Sequence, residues 1–414
     1  MTQTTTRRSF LFQTGRAAIA PTMAASLAEV SSLLAATPPG SEDYWQMVRR
    51  QFAFSERHVP MNAANLCPSP QVVADQVAAL TRDIDVDCSF QNRARFAGLL
   101  ETSRQKVAEH LGVTADEIAL VRNTSEANNT INNGLALKPG DEIVLWDQNH
   151  PTNNVAWDVR AARFGLQVRR VGTPADLADI GQLVEVFTEA LTPRTRMLAL
   201  THVSNTSGLR LPVREICEAA HRRGIFVHVD GAQSWGALDV NLCELGCDSY
   251  SASAHKWFVG PKEVGLLYVR QERIAEIWPN VVAPGWGNTV DPEVKGARKF
   301  ESLGQRDDAA LAAIATAVEF HLAIGAARLE SRLYELATAL KTGLKDAGAD
   351  LVTPLDAALS AGVCVVRVPP EKSQQVYNKL YEEHGIAGAT TGGLRLCPHL
   401  YNTREHVERA VRGV

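Results

Sequence analysis

The sequence predicts an α/β fold, with a large domain built on a mostly parallel, helix-covered sheet and a smaller α+β domain at the C-terminal end. The first observation is a series of short aliphatic runs separated by amphipathic stretches of helical length. That alternation is the βαβ pattern of a parallel sheet covered on both faces. The second observation is a break at the Pro/Gly cluster 283–287, followed by a long helical pattern, one strand-like run and a final helix. The strand-like runs are 118–121, 142–146, 197–201, 226–230, 265–269 and, after the break, 363–368.

The composition is that of a folded globular protein, and it narrows the range of partners. Of the 414 residues, 45% are hydrophobic and 21% are charged, which is close to the globular average and far from a disordered chain. Forty-two Lys and Arg against 46 Asp and Glu give a net charge of −4. A chain so near neutrality offers no strong field to a phosphate backbone or an anionic membrane. We therefore predict no nucleic-acid partner and no stable membrane association.

The cysteines are predicted to be free thiols rather than disulfides or metal ligands. They lie at positions 67, 88, 217, 243, 247, 364 and 397, an odd count without a CxxC pair. Their spacing also lacks the pattern of a zinc site, so no metal is expected.

The length is sufficient for two domains after an N-terminal segment. We place the large domain at residues 72–283 and the small domain at residues 37–71 together with 284–414, because the Pro/Gly cluster interrupts the strand and helix alternation. Residues 1–36 are interpreted as a separate targeting segment.

The N-terminal segment resembles a twin-arginine export signal. Arg7 and Arg8 precede Ser-Phe-Leu-Phe, and an Ala-rich, mildly apolar stretch extends to residue 36. Glu29 interrupts that stretch, which falls short of the roughly 18 uninterrupted apolar residues of a membrane span. The resemblance implies export to the periplasm by the twin-arginine translocon, with the mature chain beginning near Thr37. The alternative is a cytoplasmic protein whose helical N-terminal arm carries two solvated arginines.

Polar residues follow four of the predicted strands, which is where ligands bind in an open α/β sheet. Those polar segments are 123–129, 147–150, 202–205 and 230–233, and a fifth, at 251–257, reads Ser-Ala-Ser-Ala-His-Lys-Trp. Taken singly, each has an ordinary explanation, such as a helix N-cap for Thr124 or Ser125, a turn for Asp230 and a solvated side chain for His150. Their order along the chain is much more specific than any one of them.

In this order the segments resemble those of the fold-type-I enzymes of pyridoxal 5'-phosphate, specifically the class V aminotransferase and cysteine desulfurase family and its isopenicillin N epimerase-like branch. The resemblance runs from about Asn62 to the C-terminus. It implies a mostly parallel seven-stranded sheet in the large domain, pyridoxal 5'-phosphate as the cofactor bound there, and a homodimer.

The resemblance assigns the groups around the cofactor ring. Lys256 matches the lysine that the family links to the cofactor, Asp230 the aspartate at the pyridine nitrogen, and Gln233 the glutamine near the ring hydroxyl. These roles are chemically sound, because a carboxylate keeps the ring nitrogen protonated and a freed lysine is a base beside the substrate Cα. Lys262 and Lys295 are rivals to Lys256, but neither lies in a comparable polar cluster.

Further residues are assigned to the cofactor phosphate and the ring faces. The phosphate needs a helix N-terminus and hydroxyl donors. The residues expected to bind it are Thr124, Ser125, Ser253 and His255. His150 resembles the histidine that stacks on the ring, and we count it as catalytic together with Lys256 and Asp230. Asn205, in Ser-Asn-Thr-Ser-Gly, is similar to the asparagine beside the ring oxygen.

Two residues are expected to bind the substrate. Arg395 resembles the arginine that holds the substrate α-carboxylate in a bidentate contact, the alternative being a surface arginine on the small-domain sheet. Asn65 ends an Asn-Ala-Ala-Asn segment similar to one that lines the active site of epimerase-like members. The substrate is therefore expected to be a small molecule, an amino acid or an aminoacyl group.

The sequence departs from the family pattern in two places. Where a partner subunit supplies a Gly-Thr pair to the phosphate, this chain reads Gly304-Gln305, so an amide has to replace a hydroxyl. Group II desulfurases also carry a nucleophilic cysteine in the loop before the carboxylate arginine, whereas residues 385–395 contain none. Cys397 is interpreted as a buried strand thiol.

The resemblance implies chemistry at Cα or Cβ of the substrate, as transamination or epimerisation. The export signal favours a substrate in a secreted metabolite, similar to the exported member of this branch that modifies a glutamate residue of a siderophore precursor. One alternative is a C–S lyase acting on a cysteine-derived substrate. Another is a non-catalytic binding protein with this fold, which the presence of Lys256 argues against.

Overall fold

The structure is a computed structural model that describes residues 27–38, 40–174, 177, 179–283 and 295–414. The arginine pair at Arg7 and Arg8 lies outside the described residues, as does the part of the Pro/Gly cluster at 284–287.

Seven strands form the main sheet. The strands of the described chain are β1 (Val59–Pro60), β2 (Ile118–Val121), β3 (Glu142–Trp146), β4 (Gln167–Val171), β5 (Thr195–Thr201), β6 (Phe226–Asp230), β7 (Ser249–Ser253), β8 (Gly265–Val269), β9 (Cys364–Val366), β10 (Ile386–Ala387) and β11 (Leu394–Leu396). The main sheet has the spatial order β2-β8-β7-β6-β5-β3-β4. Strand β8 is antiparallel to β2 and β7, whereas the other neighbouring pairs are parallel. The prediction of a mostly parallel seven-stranded sheet is confirmed.

Helices cover both faces of this sheet. The helices of the described chain are α1 (Leu27–Ala36), α2 (Glu42–Arg49), α3 (Gln71–Val86), α4 (Phe90–His110), α5 (Thr124–Gly134), α6 (Pro151–Phe164), α7 (Ile180–Ala190), α8 (Val213–His221), α9 (Leu242–Leu245), α10 (Asp308–Ile324), α11 (Ala326–Asp346), α12 (Pro370–His384) and α13 (Arg404–Gly413). Successive residues of β3 enter different cores: Val144 and Trp146 belong to one buried cluster, Ile143 and Leu145 to another. Because strand side chains alternate between faces, two cores mean that both faces are buried.

Two strands of the sheet lack a continuous aliphatic run, so the sequence pattern does not predict them. Strand β4 reads Gln-Val-Arg-Arg-Val and lies at the sheet edge, where the side chains of Arg169 and Arg170 are exposed. Strand β7 reads Ser-Tyr-Ser-Ala-Ser and is buried throughout. Each of its three serines has a buried side-chain hydrogen-bonding partner: Ser249 lies by His228, Ser251 by Asn128 and Ser253 by Thr124.

Helices α5 and α6 follow β2 and β3 directly, so their N-termini lie at the carboxyl edge of the sheet. Asn123 caps α5 by accepting the N–H of Glu126 at 3.0 Å. Helix α6 has Pro151 in its first turn and ends at Gly165, whose φ of 68° suits a left-handed C-cap.

Two short strand pairs join the N-terminal and C-terminal parts of the described chain. Strand β1 pairs in parallel with β10, and β9 pairs antiparallel with β11. A further bridge links Asn62 to Cys397. A separate buried cluster, which includes Val59, Leu340 and Leu396, holds this unit together. The pairing carries the segment after β1 to the side of Arg395.

Helix α1 is part of the folded body, although residues 1–36 were assigned to the targeting segment. It packs against α10, and Val30 and Leu34 are 1% and 4% exposed within the main core. Among the described residues, no single helix has both the length and the apolar composition of a membrane span; α10 and α11 reach them jointly, across a bend of 77°.

Candidate active site

Lys256 and Asp230 lie at the carboxyl edge of the main sheet. Asp230 ends β6 and is 2% exposed, and Lys256 lies in the turn after β7. Burial lowers the pKa of Lys256, the Asp230 carboxylate opposes that shift, and Arg395 adds to it. The lysine is therefore biased towards the neutral amine, the form that acts as nucleophile and base.

Two donors orient the Asp230 carboxylate. Nδ2 of Asn128 in α5 donates to Oδ2 at 2.9 Å, and the backbone N–H of Ala232 donates to Oδ1 at 3.0 Å. The backbone oxygen of Asp230 accepts the N–H of His202 at 3.0 Å. A carboxylate oxygen accepts more than one hydrogen bond, so the group can still accept from a protonated ring nitrogen.

The N-terminus of α5 and the end of β7 form a hydroxyl-lined cup. The N–H of Thr124 donates to Oγ of Ser253 at 2.8 Å, and the two hydroxyl oxygens lie 2.7 Å apart. Both side chains are buried. The N–H groups of the first helical turn lack partners within the helix and carry its positive dipole end, which favours an anion. Ser125, in the same turn, is exposed.

The two histidines of the site are held in neutral form. His150 caps α6: its Nδ1 accepts the N–H of Thr152 at 3.3 Å. Burial and the neighbouring Lys256 lower the pKa of His150, while Asp230 opposes them. For His255, burial lowers the pKa to about 4, with contributions from Lys256 and Lys262. Both rings are therefore hydrogen-bonding groups rather than cations at neutral pH.

Arg395 is a buried cation fixed by two neutral acceptors. It is 4% exposed on β11, its Nη1 donates to the backbone oxygen of Asn205 at 3.0 Å, and its Nη2 donates to Oδ1 of Asn62 at 3.0 Å. Its Nε has no partner among the described residues. A buried guanidinium whose neighbours leave it charged and partly unsatisfied is suited to binding a carboxylate.

The remaining predicted residues lie around this centre. Nε2 of Gln233 donates to the backbone oxygen of Ala64 at 3.0 Å, and its Oε1 accepts from Nε1 of Trp257 at 2.7 Å, which leaves one amide N–H for the ring hydroxyl. Oδ1 of Asn205 is buried without a partner in the described part of the chain. Asn65 is exposed; the side chain of its segment that reaches Arg395 belongs to Asn62.

The rival lysines are placed differently from Lys256. Nζ of Lys262 donates to Oγ of Ser69 at 2.8 Å, and Lys295 is exposed.

Comparison with known proteins identifies this arrangement. The family model described as "Aminotransferase class-V" matches residues 68–413, which contain the whole main sheet and the polar residues at its carboxyl edge. The chain belongs to the class-V aminotransferase family. Members of this family with this fold are enzymes, and the cofactor is pyridoxal 5'-phosphate.

Relatives of this chain are named for different reactions. It is 31% identical over 386 residues to the isopenicillin N epimerase of Amycolatopsis lactamdurans, covering 88% of this chain and 96% of the relative. The isopenicillin N epimerase of Streptomyces clavuligerus is 28% identical with the same coverage of both chains, 88% and 96%. A probable cysteine desulfurase of Methanothermobacter thermautotrophicus is 27% identical, with 87% of this chain and 95% of the relative covered.

Solved structures show the same fold. A lysine-to-alanine mutant of C-DES with glycine covalently linked to its pyridoxal phosphate has a TM-score of 0.80 and 26% identity, covering 88% of this chain and 98% of that one. The cystine C-S lyase C-DES in complex with its product cysteine persulfide has a TM-score of 0.78 and 25% identity, covering 86% and 96%.

The residues present fit pyridoxal 5'-phosphate. The cup at Thr124 and Ser253 suits the phosphate, the buried Asp230 carboxylate suits a protonated ring nitrogen, and the unpartnered Oδ1 marks Asn205 as open to a ligand. Lys256 would hold the cofactor covalently. When bound, the cofactor supplies an electron sink for a carbanion at the substrate Cα.

The cysteines of this chain are not suited to act as nucleophiles in the site. Burial raises the pKa of Cys67 to about 12 and that of Cys364 to about 12, and it also raises the pKa of Cys397. Cys88 and Cys243 are exposed, in the turn before α4 and in α9. Thiols with a raised pKa are poor nucleophiles.

Two residues of the site were not singled out by sequence reasoning. Asn128 supports Asp230, and its signal is its spacing: it lies four residues after Thr124, on the same face of α5. Asn62 supports Arg395, and no local pattern distinguishes it from Asn65.

Proposed function

We propose that the enzyme transfers a proton at Cα of an amino acid or aminoacyl group with a free α-carboxylate, and that the outcome is epimerisation. The observation that carries the proposal is Arg395, a buried guanidinium held by Asn205 and Asn62 within electrostatic range of Lys256. A carboxylate bound by Arg395 brings the adjacent Cα towards the lysine amine.

Inversion needs one group that removes the proton and another that returns it on the opposite face. Burial biases Lys256 towards the neutral amine, which removes the proton from Cα. His150 lies close enough for the charge of Lys256 to lower its pKa; it takes up a proton from solvent and returns it to Cα on the opposite face, while Lys256 releases its proton to solvent. Full-length similarity to two isopenicillin N epimerases supports this outcome over transamination.

The test is turnover in deuterated water. Purified holoenzyme is incubated with single enantiomers of candidate amino acids and of aminoacyl compounds with a free carboxylate. Epimerisation gives Cα deuterium in the inverted product. A keto acid in place of the inverted product indicates transamination, and retention of the starting enantiomer without deuterium for every candidate contradicts the proposal.

The second candidate is a C–S lyase on a cysteine-derived substrate. The similarity to C-DES, at 26% identity, favours it, and that reaction requires no desulfurase-type cysteine loop. Incubation with cystine distinguishes the two: release of persulfide or sulfide with pyruvate indicates lyase activity. The third reading, a non-catalytic binding protein, is opposed by the retained Lys256.

We further propose that the enzyme is a homodimer exported to the periplasm, with a substrate in a secreted metabolite such as a siderophore precursor. The Arg7–Arg8 pair supports recognition by the twin-arginine translocon. For the dimer, Gln305 is exposed: its Oε1 accepts from Arg93 at 2.7 Å and its Nε2 donates to the backbone oxygen of Arg306 at 2.9 Å, and it would exchange these exposed bonds for one to a partner's phosphate site. Fractionation of wild type and an Arg7→Lys/Arg8→Lys variant tests export, and light scattering tests the dimer.

A further inference from the structure

A buried chain of hydrogen bonds runs from β7 through β6 and α5 to the Asp230 carboxylate. Oγ of Ser249 lies 2.8 Å from Nδ1 of His228, and Nε2 of His228 lies 2.9 Å from Oδ1 of Asn128. Nδ2 of Asn128 then lies 2.9 Å from Oδ2 of Asp230. Oγ of Ser251 donates to the same Oδ1 of Asn128. Each of these five residues is at most 2% exposed.

The Asn128 amide decides the direction of every bond in this chain. Ser251 and His228 both meet one amide atom, and Asp230 meets the other. A carboxylate has no proton to donate, so the amide nitrogen faces Asp230 and the amide oxygen accepts from the other two. His228 is therefore the Nε2–H tautomer, and the Ser249 hydroxyl donates to its Nδ1.

The residues that hydrogen-bond towards Asp230 in this chain are all uncharged. Burial lowers the pKa of His228 to about 3, so the ring carries no charge at neutral pH. A lysine or arginine at this place would form an ion pair and compete with the cofactor for the carboxylate. Aligned neutral dipoles orient Asp230 and leave its negative charge available to the ring nitrogen.

We propose that Asn128 and His228 are positioning residues for the cofactor: they orient the Asp230 carboxylate towards the ring nitrogen of pyridoxal 5'-phosphate, so that this nitrogen keeps its proton. The elements that bind the cofactor also carry this support. Asn128 lies on the helix whose first turn forms the phosphate cup, and His228 lies two residues before Asp230, on the same face of β6.

The test observes the ring nitrogen directly. Holoenzyme is prepared with pyridoxal 5'-phosphate labelled with ¹⁵N in the ring, and its nitrogen resonance is recorded at one fixed pH. Asn128→Leu is expected to move the resonance from the protonated towards the unprotonated position and to weaken cofactor binding about tenfold, because it removes a hydrogen bond to a charged group. His228→Leu should move it in the same direction, whereas His228→Gln, which keeps an amide donor for Asn128, should restore the wild-type position.

His321→Asn is the matched control. His321 is also buried and neutral, with a pKa lowered to about 3, but its Nε2 bonds the backbone oxygen of Phe258, outside this chain. It should leave the ring resonance unchanged. The proposal is overturned if Asn128→Leu and His228→Leu keep the wild-type resonance, or if His321→Asn moves it equally. Should Asn128→Leu fail to fold in a thermal melt, the comparison of His228→Leu with His228→Gln decides.

Discussion

Nη2 of Arg395 donates to Oδ1 of Asn62 at 3.0 Å, although 333 residues separate the two in the sequence. The contact depends on the pairing of β1 with β10 and on the bridge between Asn62 and Cys397. The N-terminal part of the described chain is thus a structural component of the carboxylate site. Because Asn62 is neutral, it orients the guanidinium without cancelling the charge that a substrate carboxylate needs.

Arg395→Ala is expected to reduce kcat/KM at least about tenfold for substrates with a free α-carboxylate. Loss of a buried charge-assisted contact costs roughly 2 to 5 kcal/mol, and each decade corresponds to about 1.4 kcal/mol. Asn62→Ala should raise KM less, because it frees the guanidinium without removing it. Asn65→Ala shows whether the exposed asparagine of the same segment also contributes to substrate binding, as the sequence predicts. Steady-state kinetics check this; equal activity of wild type and Arg395→Ala would refute the role.

Lys256→Ala is expected to bind pyridoxal 5'-phosphate without a covalent bond and to lose turnover, because among the described residues Lys256 is the lysine whose pKa Asp230 shifts. Borohydride reduction of wild type followed by peptide mapping should place the cofactor on Lys256. Lys262→Ala is the matched control and should remain active, because its Nζ bonds Ser69 at 2.8 Å instead. A cofactor label on Lys262 or Lys295 would overturn the assignment.

No single Cys→Ala substitution is expected to abolish turnover, whereas Asp230→Ala should. The buried thiols near the site, Cys67 and Cys397, have a raised pKa and supply little thiolate at neutral pH. Activity of the seven single variants checks this. An essential cysteine that carries a persulfide during turnover would restore a desulfurase function.

The sequence predicted the parts of the fold that have a local cause. Five strands of the sheet follow from continuous aliphatic runs, because strands buried on both faces need them. Strands β4 and β7 were not predicted. Strand β4 is an edge strand and tolerates the exposed Arg169 and Arg170, and β7 carries serines whose partners come from other elements.

The site residues that local sequence patterns place were predictable, and those that long-range strand pairing places were not. Asp230, Lys256 and Thr124 end strands or begin a helix, so their meeting at one edge follows from a parallel sheet. Asn62 reaches Arg395 only through strand pairing between distant parts of the chain, which no local pattern reveals. Ser125 and Asn65 are exposed beside buried Thr124 and Ala64, and their binding roles stay predictions.

The stability of the protein is expected to fall as pH decreases from about 6.5 towards 4. Burial lowers the pKa of His202, His228 and His321 to about 3 and that of His399 to about 4, from an ordinary 6.5. The unfolded chain therefore binds more protons than the folded one in this window, so each unit of acidification favours unfolding. Denaturant titrations of His321→Asn and wild type at several pH values check this. The free energy of unfolding should depend less steeply on pH in the variant than in wild type, by up to about 1.4 kcal/mol per pH unit. Identical slopes would contradict the burial argument.

Helix α1 is expected to contribute to stability, which bears on where an export signal can be cleaved. Leu34 is 4% exposed in the main core. Leu34→Ala should therefore lower the free energy of unfolding by about 2 to 5 kcal/mol, whereas Ser32→Ala, on the exposed side of α1, should change it little. A chain that begins at Thr37, the start that the sequence predicts for the mature protein, should be less stable in denaturant than one that begins at residue 27. N-terminal sequencing of the exported protein then decides whether α1 is retained. Equal stability of the two truncated chains would show that α1 is dispensable and that cleavage near Thr37 costs the fold nothing.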